Sequence, residues 1–376
     1  MTTQFINNFN DLILKRYPDT KNNPLRAWDA ADELLLHELY VNYSIKNSDK
    51  LLIFNDSFGA LSLALNEYQP TMMTDSYISE KSLIANEKSN NSIDKNISII
   101  NSLSNHSHPY NYILIKATKS IDYLKYFLIN IRPFINNDTV VIVAGMVKYM
   151  PKTLWAMLEK TLGNTSTSLA KKKAKLIKVK VESNITSSHY PITFKQEDSK
   201  NIIYNHASVF SKNSLDIGTR FLLQNLPKFD HIENIIDLGC GNGVIGLNLA
   251  MIYPQAKITF TDESYMAVDS ARLTIKNNID LNKRFIFKVD DCLDSSEKNH
   301  VDLIVCNPPF HQSQNIGIKT ALQMFYQSHI TLKKGGHLII IANRHLPYYS
   351  HLKNIFKHVK TIASNHKFNI FHLIKR

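Results

Sequence analysis

The sequence predicts an α/β chain of two tandem, Rossmann-like units, each a mixed but mostly parallel sheet with helices on both faces. Three observations carry this reading. Short apolar runs alternate with helical patterns along the chain, the cadence of βαβ units. One run, Ile235-Ile-Asp-Leu, ends in a turn with glycines at 239, 241 and 243 and leads into an apolar helix from Val244. The same outline occurs upstream, where Leu51-Leu-Ile-Phe-Asn-Asp-Ser-Phe-Gly leads into Ala60-Leu-Ser-Leu-Ala-Leu. Asp56, Asp75 and Lys116 of the first half then pair in order with Asp237, Asp262 and Asn307 of the second, which reads as an internal duplication.

At 376 residues the chain exceeds what one core usually organises, and the polar stretch 183–188 divides it into domains 1–185 and 186–376. A hydrophobic content of 44% with 10% aromatics excludes disorder. No basic-then-apolar leader opens the sequence and no apolar run reaches the length of a membrane span, so a cytoplasmic protein without membrane contact is expected. The three cysteines, Cys240, Cys292 and Cys306, lack metal-type spacing and fit a reduced compartment. Of the formal charge of +12, +10 lies after Asp302, in a tail with eight Lys, two Arg and no acid. That asymmetry points to a polyanion-facing surface, with a merely solvated basic face as the alternative.

In chain order, residues 5–45 read as mostly helical, with Pro24 near a helix start and Trp28 as a packing residue. From Ile177 to Glu182 strict alternation predicts a half-buried edge strand, with Lys178 and Lys180 on the open face. Edge lysines deter unwanted strand pairing and equally suit RNA contact. The first copy keeps one glycine in its turn, Gly59, beside Ser57 and Phe58. Lys116-Ala-Thr-Lys119 stands where the second copy has Asn307-Pro-Pro-Phe310. The first half is therefore expected to bind no cofactor and to serve substrate recognition and support.

In the second half four features line up as strand ends, which a doubly wound sheet gathers at one edge. The turn Asp237-Leu-Gly-Cys-Gly-Asn-Gly comes first. Ile258-Thr-Phe-Thr-Asp262 follows, its acid suited to ribose hydroxyls, and Phe285-Ile-Phe-Lys-Val-Asp290-Asp291 ends in acids that suit an adenine amino group. A dinucleotide site would share the first two. The fourth feature, Asn307-Pro308-Pro-Phe310 after an apolar strand, decides against it. The series resembles the class I S-adenosylmethionine-dependent methyltransferases that act on planar amino nitrogens.

An exocyclic amine is a poor nucleophile because its lone pair is delocalised. The Asn307 side-chain oxygen and the Pro308 carbonyl can accept its two N–H bonds and turn the lone pair outward, and the prolines hold those acceptors rigidly. Phe310 can stack on the base. Asn343-Arg-His345, with His311, is placed to touch phosphates or the base, or else lies idle on the surface.

The chain as a whole resembles the bacterial ribosomal RNA guanine-N2 methyltransferases, which carry a degenerate methyltransferase-like domain before a catalytic one. Arg16-Tyr-Pro, Asn23-Pro-Leu-Arg-Ala-Trp-Asp, Asn55-Asp-Ser-Phe-Gly, Leu169-Ala-Lys-Lys-Lys and Ala342-Asn-Arg-His-Leu are most similar to the large-subunit branch. The resemblance implies S-adenosylmethionine as cofactor, 23S rRNA as partner and N2 of one guanine as target; the chain is expected to be a monomer. It implies cofactor contacts at Asp237, Gly239, Cys240, Gly241, Asp262 with Glu263, and Asp290 or Asp291. Phe210 and Asp216 join these on the cofactor side, with Asn307 touching both ligands, while Asn307, Pro308 and Phe310 hold the guanine. The competing readings are a small-subunit (16S) enzyme, a protein-glutamine N5 methyltransferase and a non-catalytic RNA-binding assembly factor.

Overall fold

The computed structural model describes residues 3–18, 25–90, 96–182, 189–197, 199–211, 213–280, 282–309 and 314–376. Pro24, Phe310, His311 and the polar stretch 183–188 lie outside them. Contacts divide the chain into Met1–His189 and Tyr190–Arg376.

The first unit is built on strands β1 (Leu51–Phe54), β2 (Thr71–Thr74), β3 (Ser98–Asn101), β4 (Tyr112–Lys116), β5 (Val140–Met146), β6 (Thr165–Thr167) and β7 (Ala174–Val179). Their order across the sheet is β3-β2-β1-β4-β5-β7-β6, parallel through β5 and antiparallel beyond it. The second unit repeats this with β8 (Asn234–Leu238), β9 (Lys257–Asp262), β10 (Phe285–Val289), β11 (Val301–Cys306), β12 (Leu332–Asn343), β13 (His358–Ser364) and β14 (Phe368–Ile374). There the order is β10-β9-β8-β11-β12-β14-β13, the same topology element for element. β1 and β8 are buried almost throughout, as central parallel strands covered on both faces must be.

Two expectations for the first unit need correcting. Residues 5–45 are not mostly helical. Gln4–Ile6 pairs with Asp11–Ile13 as a hairpin, and one helix, α1 (Ala30–Asn42), follows. The hairpin seats Phe5 against Trp28 at 4.9 Å, so local helical spacing was overridden by packing. The alternating strand β7 is likewise not an edge, because Thr165–Thr167 covers its far side. Lys178 is accordingly bound to Glu38 on α1 at 2.5 Å.

Strand register also revises which residues of the two copies correspond. Phe54 lies opposite Ile115 and Leu238 opposite Cys306, so Lys116 does match Asn307. The left-handed turn residues Gly59 and Gly243 match too, each opening a helix, α2 (Ala60–Ala64) and α7 (Val244–Ile252), with α3 (Tyr77–Ser89), α4 (Ile121–Ile131), α5 (Lys152–Thr161) and α6 (Ile217–Gln224) between them in the chain. Counting back from them, Asn55-Asp56-Ser57 corresponds to Gly239-Cys240-Gly241, and Asp237 corresponds to Ile53. By the same register Thr74 matches Asp262, and Ser102-Leu103 matches Asp290-Asp291. Asp56 is therefore not the counterpart of Asp237. It caps α2 instead, accepting from the backbone of Ala60, Leu61 and Ser62.

Lys116 is held where the second copy has its amide. Its Nζ meets Asp29 at 2.9 Å and Asp32 at 2.7 Å, the N-cap and third helical residue of α1. Burial pushes the Asp32 carboxyl up to about 6 despite that partner, with Asp29 and Asp56 adding to the push. Removing one member of a buried charge network strands the others, so Lys116→Met should destabilise the first unit by about 3 kcal/mol at neutral pH. Urea unfolding at pH 5 should show a smaller loss, because Asp32 is then protonated and needs no cation.

Candidate active site

The second unit begins with a short hairpin, Ile192–Lys195 with Ile202–Asn205, which runs into a polar segment and then helix α6 (Ile217–Gln224). Helix α8 (Tyr265–Asn278) anchors this lead-in. Tyr204 N–H donates to Thr274, His206 N–H donates to Ser270, and the His206 ring bonds Asp269 at 2.9 Å. The buried Asn205 side chain accepts from Asn242 Nδ2 at 3.0 Å, tying the lead-in to the glycine turn.

That turn leaves β8 with its backbone folded onto the neighbouring strand. Gly239 and Cys240 N–H both donate to the Thr261 carbonyl, and Gly241 N–H donates to Asp262 Oδ2 at 3.0 Å. The other Asp262 oxygen accepts from Ser264 N–H at 3.1 Å, which fixes the carboxylate over the turn. Gly241 has φ +52° and a Cβ placed there would meet nothing within 4 Å. Its backbone therefore faces open space, which a side chain would fill.

Asp237 is fully buried beneath the turn. Its Oδ2 accepts from Gly246 N–H at 2.8 Å, while Oδ1 has no partner among the described residues. Burial pushes this carboxyl up to about 8, and Asp262 pushes the same way against the Gly246 hydrogen bond. Cys240 is buried in the hydrophobic core of the unit, so that residue offers its backbone to the turn and its side chain to the core.

The acid pair after β10 separates into two tasks. Asp290 Oδ1 accepts from Asp291 N–H, and Oδ2 accepts from the Ser295 backbone and hydroxyl. Both its oxygens thus brace the turn. Asp291 is oriented from helix α9 (Gln314–Thr331), with Gln323 Nε2 donating to Oδ1 at 2.9 Å.

Asn307 follows β11. Its Nδ2 donates to the Thr219 hydroxyl at 2.9 Å and lies 3.4 Å from Asp216 Oδ2, while its Oδ1 is buried without a partner among the described residues. Asp216 is the N-cap of α6, accepting from Thr219 N–H at 2.9 Å. The structure therefore puts Asp216 on the Asn307 amide. Phe210 lies exposed in the loop before α6, and Glu263 stands half-buried between Asp262 and the N-cap Ser264. Pro308 is buried, and Phe310 falls outside the described residues. Thr219 and Gln323 were not singled out from the sequence. Thr219 had a trace there, as the third helical residue after a capping Asp, whereas Gln323 had none.

The basic tail is partly spent inside the unit. Lys375 Nζ donates to the Leu332 carbonyl at 2.7 Å and the Ile330 carbonyl at 3.2 Å, and Lys333 pairs with Asp302 at 2.8 Å. Arg344, Lys353, Lys357, Lys360 and Lys367 remain exposed. Among the described residues no helix is long and apolar enough to cross a membrane.

Residues 2–183 match the family described as the RLMG N-terminal domain, and residues 200–372 match the methyltransferase small domain. The chain is 40% identical to the ribosomal RNA large subunit methyltransferase G of Psychromonas ingrahamii, over 97% of both proteins. To the enzyme of that name from Aeromonas salmonicida it is 42% identical, again over 97% of both. The chain belongs to the ribosomal RNA large subunit methyltransferase G family. Among solved structures, the T. thermophilus 16S rRNA N2 methyltransferase in complex with AdoMet and guanosine aligns with a TM-score of 0.78 over 100% of this chain and 98% of that one. At 17% identity that likeness concerns the fold. Membership makes this chain an enzyme, an S-adenosylmethionine-dependent methyltransferase.

The residues present fit that cofactor. Bare backbone at Gly241, the fixed Asp262 carboxylate and the Asp237 oxygen that has no partner among the described residues suit a nucleoside carrying a cationic amino acid. An acid whose folded pKa is raised is penalised once ionised, so the penalty grows between its unfolded and folded values and levels off above the latter. Asp237→Asn should therefore gain thermal stability relative to the parent as pH rises from 5 to 8, with calorimetric melts at each pH as the check. A constant difference across that range would show that Asp237 is ionised throughout.

Proposed function

We propose that this member of the family methylates the exocyclic N2 of one guanine in 23S rRNA, with Asn307 and Pro308 as the acceptors that hold the amine. The observation that supports this is the buried Asn307 Oδ1, without a partner among the described residues, on an amide whose nitrogen is already engaged. An acceptor that water cannot reach costs stability unless a ligand donates to it. A second acceptor follows at once, the Pro308 carbonyl, to which no amide donates among the described residues. Two adjacent acceptors match an NH₂ group, and neither a hydroxyl nor a bare ring nitrogen can satisfy both.

When bound, S-adenosylmethionine, held at Gly241, Asp262 and Asp291, would supply an electrophilic methyl group for transfer to N2, whose surplus proton would pass to water. The chain's residues prepare that event. Asn307 and Pro308 draw the N–H bonds into their acceptors, leaving the lone pair directed out of the ring plane. Such positioning, rather than a strong base, is what the step requires. Asp262 and Asp291 are assigned to the ribose and the adenine, and Phe210 and Glu263 to the rim of the cofactor site. Phe310 is assigned from the sequence to stack on the base.

The first unit is read as a substrate-recognition and supporting domain that binds no cofactor. Ile53, Thr74, Leu103 and Lys116 stand at its counterparts of Asp237, Asp262, Asp291 and Asn307. Calorimetry on the whole chain should accordingly titrate one S-adenosylmethionine per chain. The enzyme is read as cytoplasmic and monomeric, with the exposed basic tail facing RNA.

Tritiated-methyl transfer to rRNA lacking the modification tests the reading, with naked 23S, naked 16S and assembled subunits side by side. Label in 23S supports it, and label in 16S alone would sink it. Asn307→Ala should lower the single-turnover rate at least about a hundredfold while cofactor affinity stays within about threefold, since the lost contact strengthens only in the transition state. Weak cofactor binding in that variant would count against the assigned role.

A further inference from the structure

A carboxamide can sit in either of two orientations, and only one of them presents oxygen to an incoming amine. Asp216 removes the choice. An ionised carboxylate only accepts hydrogen bonds. Its Oδ2 lies 2.9 Å from Thr219 N, 3.3 Å from Thr219 Oγ1 and 3.4 Å from Asn307 Nδ2. The Thr219 hydroxyl gives its proton to that carboxylate and turns a lone pair toward Asn307 Nδ2 at 2.9 Å. A flipped amide would set Oδ1 against the carboxylate oxygen and the hydroxyl lone pair together. Thr219 is 6% exposed, so water cannot relieve that clash.

The first unit carries the same device with a different cargo. Its counterparts of Asp216 and Thr219 are Asp29 and Asp32, the N-cap and third helical residue of α1, and they grip the Lys116 ammonium at the matching strand end. In both copies a polar pair at a helix start reaches the residue at the end of the corresponding strand and fixes its head group. In the first copy that group is a cation sealed in place. In the second it is an amide with one end left over.

We propose that Asp216 and Thr219 are positioning residues for methyl transfer, holding the Asn307 carboxamide so that oxygen alone faces the target amine. The inference deepens the reading of Asn307 as amine acceptor and rests on it. Neither residue donates to or accepts from the amine itself. Their effect is on the rate of transfer and not on the affinity for either ligand.

Single-turnover transfer by the full-length enzyme, with unmodified 23S rRNA and saturating S-adenosylmethionine, tests this. Thr219→Val keeps the shape and the helix cap but removes the hydroxyl. Its rate should fall at least about tenfold, with rRNA and cofactor affinities within about threefold of the parent. Thr219→Ser restores the hydroxyl and should stay within about threefold of the parental rate. In the Asn307→Ala background, Thr219→Val should cost less than about twofold more, because no amide is left to orient. Cofactor binding by each preparation reports that it is folded. If Thr219→Val is as active as the parent while Asn307→Ala is crippled, the positioning role fails and the amine reading stands. If Asn307→Ala is itself fully active, both fail. A full-sized Thr219→Val loss in the Asn307→Ala background, or Thr219→Ser as poor as Thr219→Val, would show a structural role and overturn the proposal.

Discussion

The catalytic unit depends on one constraint: β8 is buried on both faces and must turn into α7 without leaving side chains in the crevice at its end. Strand order reverses beside it, since β9 and β10 lie on one side and β11 and β12 on the other. The carboxyl ends of β8, β9, β10 and β11 therefore open onto one crevice, and each residue that follows a strand end becomes a wall of it. Asp262, Asp291 and Asn307 need no long-range coincidence to meet. The parallel register delivers them, and the turn at Gly239–Gly243 only has to stay out of their way.

The duplicated first unit works as an internal control on which residues serve the fold and which serve the chemistry. Gly59 and Gly243 share a left-handed conformation at the start of the helix, and Ser76 and Ser264 cap corresponding helices. Those belong to the fold. Asn55 takes the left-handed φ of +65° that Gly239 has at +70°, so even that turn survives without a glycine. What differs is the set of groups facing the crevice. A carboxylate gives way to Ile53, another to Thr74, and the acceptor amide to a lysine neutralised by its own domain. At Ile53 and Lys116 the exchange removes a buried acceptor that has no partner among the described residues of the second unit, which would otherwise cost stability.

Much of this was legible beforehand, and the part that was not has a common cause. Apolar runs ending in Asp237, Asp262, Asp290 and Asn307 announced parallel strands and their crevice, because buried strands and turns are written locally. Correspondence between the copies was misjudged at Asp56 and Asp75, which resemble Asp237 and Asp262 in type but sit three and one positions out of register. Register is set by pairing across the sheet, to which the order of residues along one strand gives no access. The same holds for Lys178, whose strand looked like an edge until Thr165–Thr167 covered it, and for the hairpin at Gln4–Ile13. Thr219 was missed because its partner lies 88 residues away in sequence.

The two buried side-chain oxygens of the second unit that have no partner among the described residues express one trade. Asp237 Oδ1 and Asn307 Oδ1 are both buried, and a stranded acceptor typically costs about 1–3 kcal/mol. A fold under selection for stability alone would bury a leucine at one position and pair the other, much as the first unit has done with Ile53 and Lys116. Keeping both oxygens unsatisfied makes sense where ligands complete them, one below the turn and one beyond the last strand. With Asp237 and Asn307 in the proposed roles, that cost is recovered as affinity and orientation when ligands donate to the two oxygens. Rigid neighbours are the condition for this to work, since a mobile amide would simply rotate to satisfy itself. Thr219 and Asp216 on one side and Gly246 on the other supply that rigidity.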